Sequence, residues 1–382
     1  MKAYCLNNIS KVALATLAGN NTTVDTVEAA DSILVRSYQM ADYELPQDVV
    51  AVARAGAGVN NIPLDKYADK GVVVFNTPGA NANAVKELVL CGLFMASRDL
   101  IGGVKYINEN KENADIAKAA EKAKASYAGC EIKGKTIGVI GLGVIGVLVA
   151  NACNDLGMNV IGYDPYLSIQ NAMSLAKNVK YVEKLEDLIE ASNYVTIHVP
   201  LNPATKEMVN KDVFDKMKEG TIVLNFSRDA LVNDDDLKEA IENGKVKKYV
   251  TDFANPKVVN FDNVICFPHL GASTEEAEDN CALMAINQLI DYIDNGNIKN
   301  SVNYPQTNAG VKKGAKRICI CHLNKPGMIA KFTAAISEQN GNIETLVNNS
   351  KGNYAYTIID VDNDVCVKNL KAVEDVLRIR VI

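Results

Sequence analysis

Gly134-Lys135-Thr136-Ile137-Gly138-Val139-Ile140-Gly141-Leu142-Gly143-Val144-Ile145-Gly146 is the stretch from which the architecture of this chain can be read. A short apolar run, Thr136–Ile140, leads into Gly-x-Gly-x-x-Gly, and an apolar helical pattern follows as far as Gly157. Between a strand and a helix such glycines have separate tasks: a tight turn, close approach of the backbone to a pyrophosphate, and close packing of helix on strand. Gly141, Gly143 and Gly146 fill these positions, and Val144 and Ile145 open the helix, where free N–H groups and the positive dipole end favour phosphate. Alone the pattern is weak, because a glycine-rich turn can pack a helix without any ligand. Asp164 strengthens it. It ends the next strand, 18 residues beyond Gly146, where a carboxylate accepts both ribose hydroxyls of an adenosine and repels a 2′-phosphate. The residues therefore predict a site for NAD rather than NADP.

Outward from this turn, β-branched runs alternate with helical patterns, the rhythm of parallel sheets covered by helices on both faces. Strands are predicted at 2–6, 33–36, 52–55 and 72–75, followed by a helix from near Asn83. A second set is predicted at 136–140, 160–164, 194–199, 221–227, 248–253 and 264–267. The charged, alanine-rich stretch 105–131 reads as solvated helix with a connecting role. Ser273 with Glu276 forms a capping box for a long helix that ends near Gly296 and returns to the first domain. The stretch 297–316, rich in Asn, Lys, Gly and Pro, holds a linker, and the chain closes with β-α-β-β-α-β character. The expected architecture is α/β: two doubly wound, parallel-sheet, Rossmann-like domains plus a C-terminal βαββαβ module. Residues 1–97 and 275–300 form the first domain, 98–274 the nucleotide-binding domain, 301–315 the linker and 316–382 the module.

Composition narrows the function. With 382 residues, 48% of them hydrophobic, the chain exceeds one ordinary core. A net charge of −6 leaves no basic surplus, so neither nucleic acid nor membrane is an expected partner. Nine cysteines without a CxxC pair fit a reduced, cytoplasmic compartment, and no metal site is expected. The N-terminus opens directly into a strand, with no charged-then-apolar presequence. The most apolar run, 136–152, carries four glycines that the nucleotide turn explains better than a membrane span does.

Five ordered blocks then stand out: Gly134 to Gly143; Tyr163-Asp164-Pro165-Tyr166; His198-Val199-Pro200-Leu201 with Thr205; Asn225-Phe226-Ser227-Arg228; and Pro268-His269-Leu270-Gly271. In these blocks the chain, as far as about residue 300, resembles the D-2-hydroxyacid dehydrogenase family. The resemblance implies a substrate-binding domain built from the N- and C-terminal parts of this region, an NAD domain between them, and oxidation of a D-2-hydroxy acid in the cleft. It carries His269 over as acid/base, Arg228 as holder of the substrate's carboxylate and carbonyl oxygen, and Asp252 as contact to the nicotinamide carboxamide. His198, Pro200 and Thr205 fall on the nicotinamide side.

The residue types suit that chemistry. Oxidising an alcohol beside a carboxylate needs a base, a cation and a hydride acceptor. Of only three histidines, His269 follows a strand and precedes a turn, where cleft residues of an open sheet sit. Arg228 also ends a strand, and its planar fork matches a carboxylate; a surface salt bridge is the alternative. One segment departs from the family. Where members carry Asp-Val-Phe-x-x-Glu-Pro, this chain has Asp252-Phe253-Ala254-Asn255-Pro256, two residues shorter. No Glu can be carried over as the partner of His269, and Asn255 is the expected substitute, orienting the ring by a hydrogen bond.

The segment Arg54-Ala55-Gly56-Ala57-Gly58-Val59-Asn60-Asn61 ends the third strand in a glycine-rich turn whose N–H groups can take a carboxylate. By resemblance it is the substrate loop. Arg54 adds a cation for a phosphate on a three-carbon acid, or else holds a structural ion pair. Asn81 and Asn83 are further candidates.

In the module, alternation puts Cys319 and Cys321 on one strand face and Ile318 and Ile320 on the other, as core residues rather than a Cys-x-Cys-His metal site. A helix follows with Ile329, Phe332 and Ile336 on one side. His322-Leu323-Asn324-Lys325-Pro326-Gly327 with Asn342 resembles the ACT domain, a ligand-binding fold. That resemblance implies that His322, Asn324 and Asn342 take up L-serine as effector at a dimer interface; a module that only dimerises is the alternative. The two resemblances together imply NAD-dependent oxidation of a phosphorylated three-carbon hydroxy acid by a homodimer or homotetramer. A glyoxylate or hydroxypyruvate reductase of the same family and a non-enzymatic NAD(H)-sensing protein stay open.

Overall fold

Five short strands near the N-terminus, β1 (Lys2–Cys5), β2 (Thr22–Thr23), β3 (Ser32–Val35), β4 (Ala51–Arg54) and β5 (Val73–Phe75), lie parallel in the order β2-β1-β3-β4-β5. The computed structural model describes residues 1–313 and 315–382; Gly314, in the expected linker, lies outside the described residues. Side chains alternate across this sheet. Leu34, Ala51, Ala53, Val73 and Phe75 cluster with Ala282, Ala285, Ile286 and Leu289 of the helix Glu275–Asn295. Ile33, Val35, Val52 and Val74 turn the other way, onto Ile62 and Tyr67. Each fully buried aliphatic side chain contributes about 1.5–3 kcal/mol.

A second parallel sheet follows, with β6 (Thr136–Ile140), β7 (Asn159–Tyr163), β8 (Lys180–Tyr181), β9 (Tyr194–Ile197), β10 (Thr221–Asn225), β11 (Val246–Thr251) and β12 (Val264–Cys266). Their order is β12-β11-β10-β9-β6-β7-β8. From β6 the chain builds outward to β8, then returns to lay β9 on the other edge of β6. Connections therefore diverge between β6 and β9, and at the carboxyl ends of these strands open α/β sheets hold their ligands. Ile137, Val139, Leu224 and Val250 pack on one face, Ile140, Val195, Val223 and Tyr249 on the other.

Two compact units result: Met1–Asn81 with Glu275–Ile382, and Ala82–Thr274. The helix Ala82–Ser97, assigned from sequence to the substrate-binding domain, groups with the second unit, where Val85, Val89 and Leu93 share a core with Val147 and Ala150 of the helix Val144–Asp155. The sequence placed a helix here but not what it packs against.

The C-terminal strands β13 (Lys316–Leu323), β14 (Ile343–Lys351), β15 (Tyr354–Val361) and β16 (Val376–Val381) form an antiparallel sheet, β14-β15-β13-β16. With the helices Met328–Ser337 and Lys368–Lys371 they give the expected βαββαβ order. Ile318, Ile320 and Ile359 meet Met328, Phe332 and Ile336 on one face. On the opposite face Cys319, Cys321, Tyr356 and Ile358 enter the core of the first unit beside Ile286, Leu289, Tyr292 and Tyr304.

The module is thus built into the first unit rather than set off by a free linker. Within the expected linker, the Asn303 amide donates to the Val72 carbonyl and accepts from Val74 N–H, both at 2.9 Å, and the Tyr304 hydroxyl donates to the Ala68 carbonyl at 2.8 Å. Arg317, fully buried, donates to both Asp360 carboxylate oxygens at 2.6 and 2.7 Å and to the Asn295 and Gly310 carbonyls at 2.7 Å. A cation is favourable there, since Asn295 ends the long helix. Arg380 lies 4.3 Å over the Tyr292 ring. Strand alternation predicted both apolar faces of the sheet; it could not indicate what covers the second.

Candidate active site

The glycine turn after β6 divides its labour in space. Gly141 has φ +90, and a Cβ on it would stand 2.5 Å from the His198 carbonyl oxygen; a Cβ on Gly146 would run into the Gly141 carbonyl. Gly143 is different, since a Cβ there would meet nothing within 4 Å. It precedes the helix Val144–Asp155, whose start, with Val144 and Ile145, has no side-chain cap. Leu142 N–H donates to Asp164 Oδ2 and Tyr166 N–H to Asp164 Oδ1, both at 2.8 Å, so this carboxylate ties the end of β7 to the turn. An open glycine, an uncapped helix start and an adjacent carboxylate fit a dinucleotide.

His198, at the end of β9, presents its Nε2 to the Thr196 hydroxyl at 2.8 Å. Burial pushes its imidazole down to about 3, so the ring is neutral at physiological pH. Beyond it, the Thr205 hydroxyl donates to the Pro200 carbonyl at 2.6 Å and closes the loop. Arg228 follows β10 and is exposed, its Nη1 donating to the Ser227 carbonyl at 2.6 Å. Two side chains hold the backbone under it: Asn225 Nδ2 donates to the Arg228 carbonyl at 2.9 Å, and the Ser227 hydroxyl to the Ile197 carbonyl at 2.8 Å.

His269 is exposed on the turn after β12, with the uncommon left-handed φ of 58. Asp252, almost wholly buried at the end of β11, clamps that turn: Oδ1 accepts from Leu270 N–H and Oδ2 from Gly271 N–H, each at 2.7 Å. The Phe253 ring meets the imidazole edge to face at 5.0 Å between centroids. Asn255 does not take the expected role. Its Nδ2 donates to Asp229 and Asp234 at 2.9 and 3.0 Å, and its Oδ1 accepts from Lys257 and Val258 N–H, so its capacity is used away from His269.

In the other unit, Arg54 ends β4, and its Nε donates to the Arg36 carbonyl at 3.0 Å. Its guanidinium covers Gly56, where a Cβ would come 2.6 Å from Nη1. Ala55 N–H is used by the Val35 carbonyl, while among the described residues none accepts from Ala57 or Gly58 N–H. Those two can meet an anion. Asn81 ends this segment with no side-chain hydrogen bond among the described residues, and Asn83 is occupied by Glu87 and Lys86.

The three expected effector residues are not together. His322 is buried, with Nε2 2.9 Å from the Thr357 hydroxyl, Nδ1 2.8 Å from the Leu323 carbonyl, and its ring edge to face with Phe332. Asn324 donates to the Gly352 carbonyl at 3.1 Å. Both lie at the end of the sheet where Leu323 pairs with Tyr354, whereas Asn342 precedes Ile343, which pairs with Val361 at the other end. Sequence reading gave no role to Thr196, Asn225, Ser227 or Phe253. The only available signal was a polar or aromatic residue beside a strand end.

Residues 93–271 match the family described as D-isomer specific 2-hydroxyacid dehydrogenase, NAD binding domain. The chain is 31% identical to the D-3-phosphoglycerate dehydrogenase of Haemophilus influenzae, over 89% of this chain and 82% of that protein. Among solved structures, a glyoxylate reductase from Paecilomyes thermophila aligns with TM-score 0.64 at 22% identity, over 79% of this chain and 98% of that one. An NAD+-bound 3-phosphoglycerate dehydrogenase of Entamoeba histolytica aligns with TM-score 0.61 at 24% identity, again over 79% and 98%.

Proposed function

Because the chain belongs to the D-isomer-specific 2-hydroxyacid dehydrogenases, an NAD-dependent family, we propose that it oxidises 3-phospho-D-glycerate to 3-phosphohydroxypyruvate, the first step of L-serine biosynthesis. The observation that carries this substrate is similarity to a D-3-phosphoglycerate dehydrogenase across most of both chains. In this reading the His269 imidazole takes the C2 hydroxyl proton, and the Arg228 guanidinium holds the carboxylate and stabilises the forming carbonyl. Bound NAD supplies the hydride acceptor, held by Gly141, Gly143, Val144, Ile145 and Gly146 with Asp164 at the adenosine end. Ala57 and Gly58 N–H groups assist with the carboxylate, and Arg54 meets the phosphate.

L-Serine is the effector in the same reading. One sheet keeps His322 and Asn324 about 20 Å from Asn342, the span of some seven strand residues, so one ligand touching all three requires a second copy of the chain. A homodimer or homotetramer is also supported by the helix Leu100–Glu109, which exposes Leu100, Ile101, Val104 and Ile107. Nine free thiols suit a reducing cytoplasm. Among the described residues no helix is long and apolar enough to cross a membrane.

The test is NADH absorbance with purified protein, NAD and 3-phosphoglycerate, with and without L-serine. Turnover that serine lowers is expected. No rate above background overturns the substrate assignment and favours an NAD(H)-sensing protein, and a serine-independent rate removes the effector.

A further inference from the structure

An acid/base imidazole transfers a proton only from a narrow range of orientations, so an exposed one needs something to hold it. Among the described residues of its own unit, no side chain hydrogen-bonds to or ion-pairs with the His269 ring. The surroundings nevertheless fix it in two stages. Asp252 fixes the backbone, its two oxygens gripping the N–H groups of Leu270 and Gly271 immediately after His269. The next residue, Phe253, reaches the ring itself, with centroids 5.0 Å apart and planes at 62°. Phe253 is anchored in turn: its N–H donates to the Thr251 hydroxyl at 3.2 Å, and the Thr251 carbonyl accepts from Phe267 N–H at 2.8 Å, at the root of the His269 turn. Two adjacent residues at the end of one strand thus bracket the backbone and the side chain of a residue beyond the neighbouring strand.

We propose that Phe253 is the positioning residue of His269, its aromatic ring setting the imidazole orientation where, among the described residues of that unit, no hydrogen-bonding side chain does so. The role rests on the assignment of His269 as acid/base. Edge-to-face contact between rings prefers a defined geometry, which an aliphatic side chain of similar bulk does not impose.

Phe253→Leu and Phe253→Tyr separate the ring from its bulk. In single turnover with NAD and 3-phosphoglycerate, Phe253→Leu is expected to slow NADH formation about threefold to tenfold, with substrate and NAD affinities changed less than about twofold; Phe253→Tyr restores the rate. A second readout does not need turnover. The chain has three histidines, so the ring protons of His269 can be assigned by their absence in His269→Gln and followed by NMR. They are expected to lose the ring-current shift in Phe253→Leu and keep it in Phe253→Tyr, while His198 and His322 stay in place. An unchanged rate in Phe253→Leu, unmoved His269 resonances, or a rate loss shared by Phe253→Tyr overturns the proposal. Lack of wild-type turnover counts instead against the proposed reaction, on which the acid/base role rests, and the resonances still decide whether Phe253 holds the ring.

Discussion

Gly146 stands so close to Gly141 that no side chain fits between them, a Cβ at 146 running into the Gly141 carbonyl oxygen. Gly143, midway, faces open space. Gly146→Ala is therefore expected to lower the melting temperature without ligand, by overpacking worth about 1–3 kcal/mol. Gly143→Ala is expected to melt like wild type without ligand and to lose most of the upward shift that NAD confers. Thermal melts of both variants with and without NAD check the pair.

Arg54 separates two substrates. If its guanidinium meets the phosphate, Arg54→Ala raises KM for 3-phosphoglycerate at least about tenfold more than for unphosphorylated glycerate, the scale of a lost charge-assisted contact. Equal losses for both acids place Arg54 in the scaffold, where its bond to the Arg36 carbonyl already gives it a part.

Arg317 holds the C-terminal sheet to the long helix from a fully buried position. Arg317→Ala strands the Asp360 carboxylate, at an expected cost of about 3–5 kcal/mol. Lys118→Ala, which breaks an exposed pair with Asp115, should change stability by less than about 1 kcal/mol. Urea unfolding followed by circular dichroism compares them.

Acid sensitivity should come in part from His198. Its folded imidazole titrates near 3 and its unfolded one near 6.5, so as pH falls the unfolded chain takes up the proton first. The stability of the neutral ring is present above about pH 6.5 and lost progressively toward pH 3. Wild-type urea midpoints are expected to fall more steeply over that window than those of His198→Gln.

Much of this was legible in residue patterns, and the exceptions share a cause. Gly141 to Gly146 and Asp164 announced a strand, a turn and a helix because Gly141 and Gly146 answer local steric demands and Gly143 leaves the turn open. The alternation of Cys319 and Cys321 with Ile318 and Ile320 gave a strand with two buried faces. What stayed hidden was pairing at a distance. Asn255 could have met His269 but is drawn to Asp229 and Asp234, which lie elsewhere in sequence. His322 looked like a ligand-binding residue, and only the neighbouring strand with Thr357 and the covering helix with Phe332 reveal what surrounds it. Phe253 offered no polar group to mark it.

The most direct measurement uses 3-phosphoglycerate deuterated at C2, with the wild type and His269→Gln, following the isotope into the reduced cofactor. Deuterium is expected at the nicotinamide C4 with wild-type protein, and a rate at least about 100-fold lower with His269→Gln while NAD affinity is retained. Reduced cofactor without the isotope, or full speed without the imidazole, would contradict the proposed mechanism.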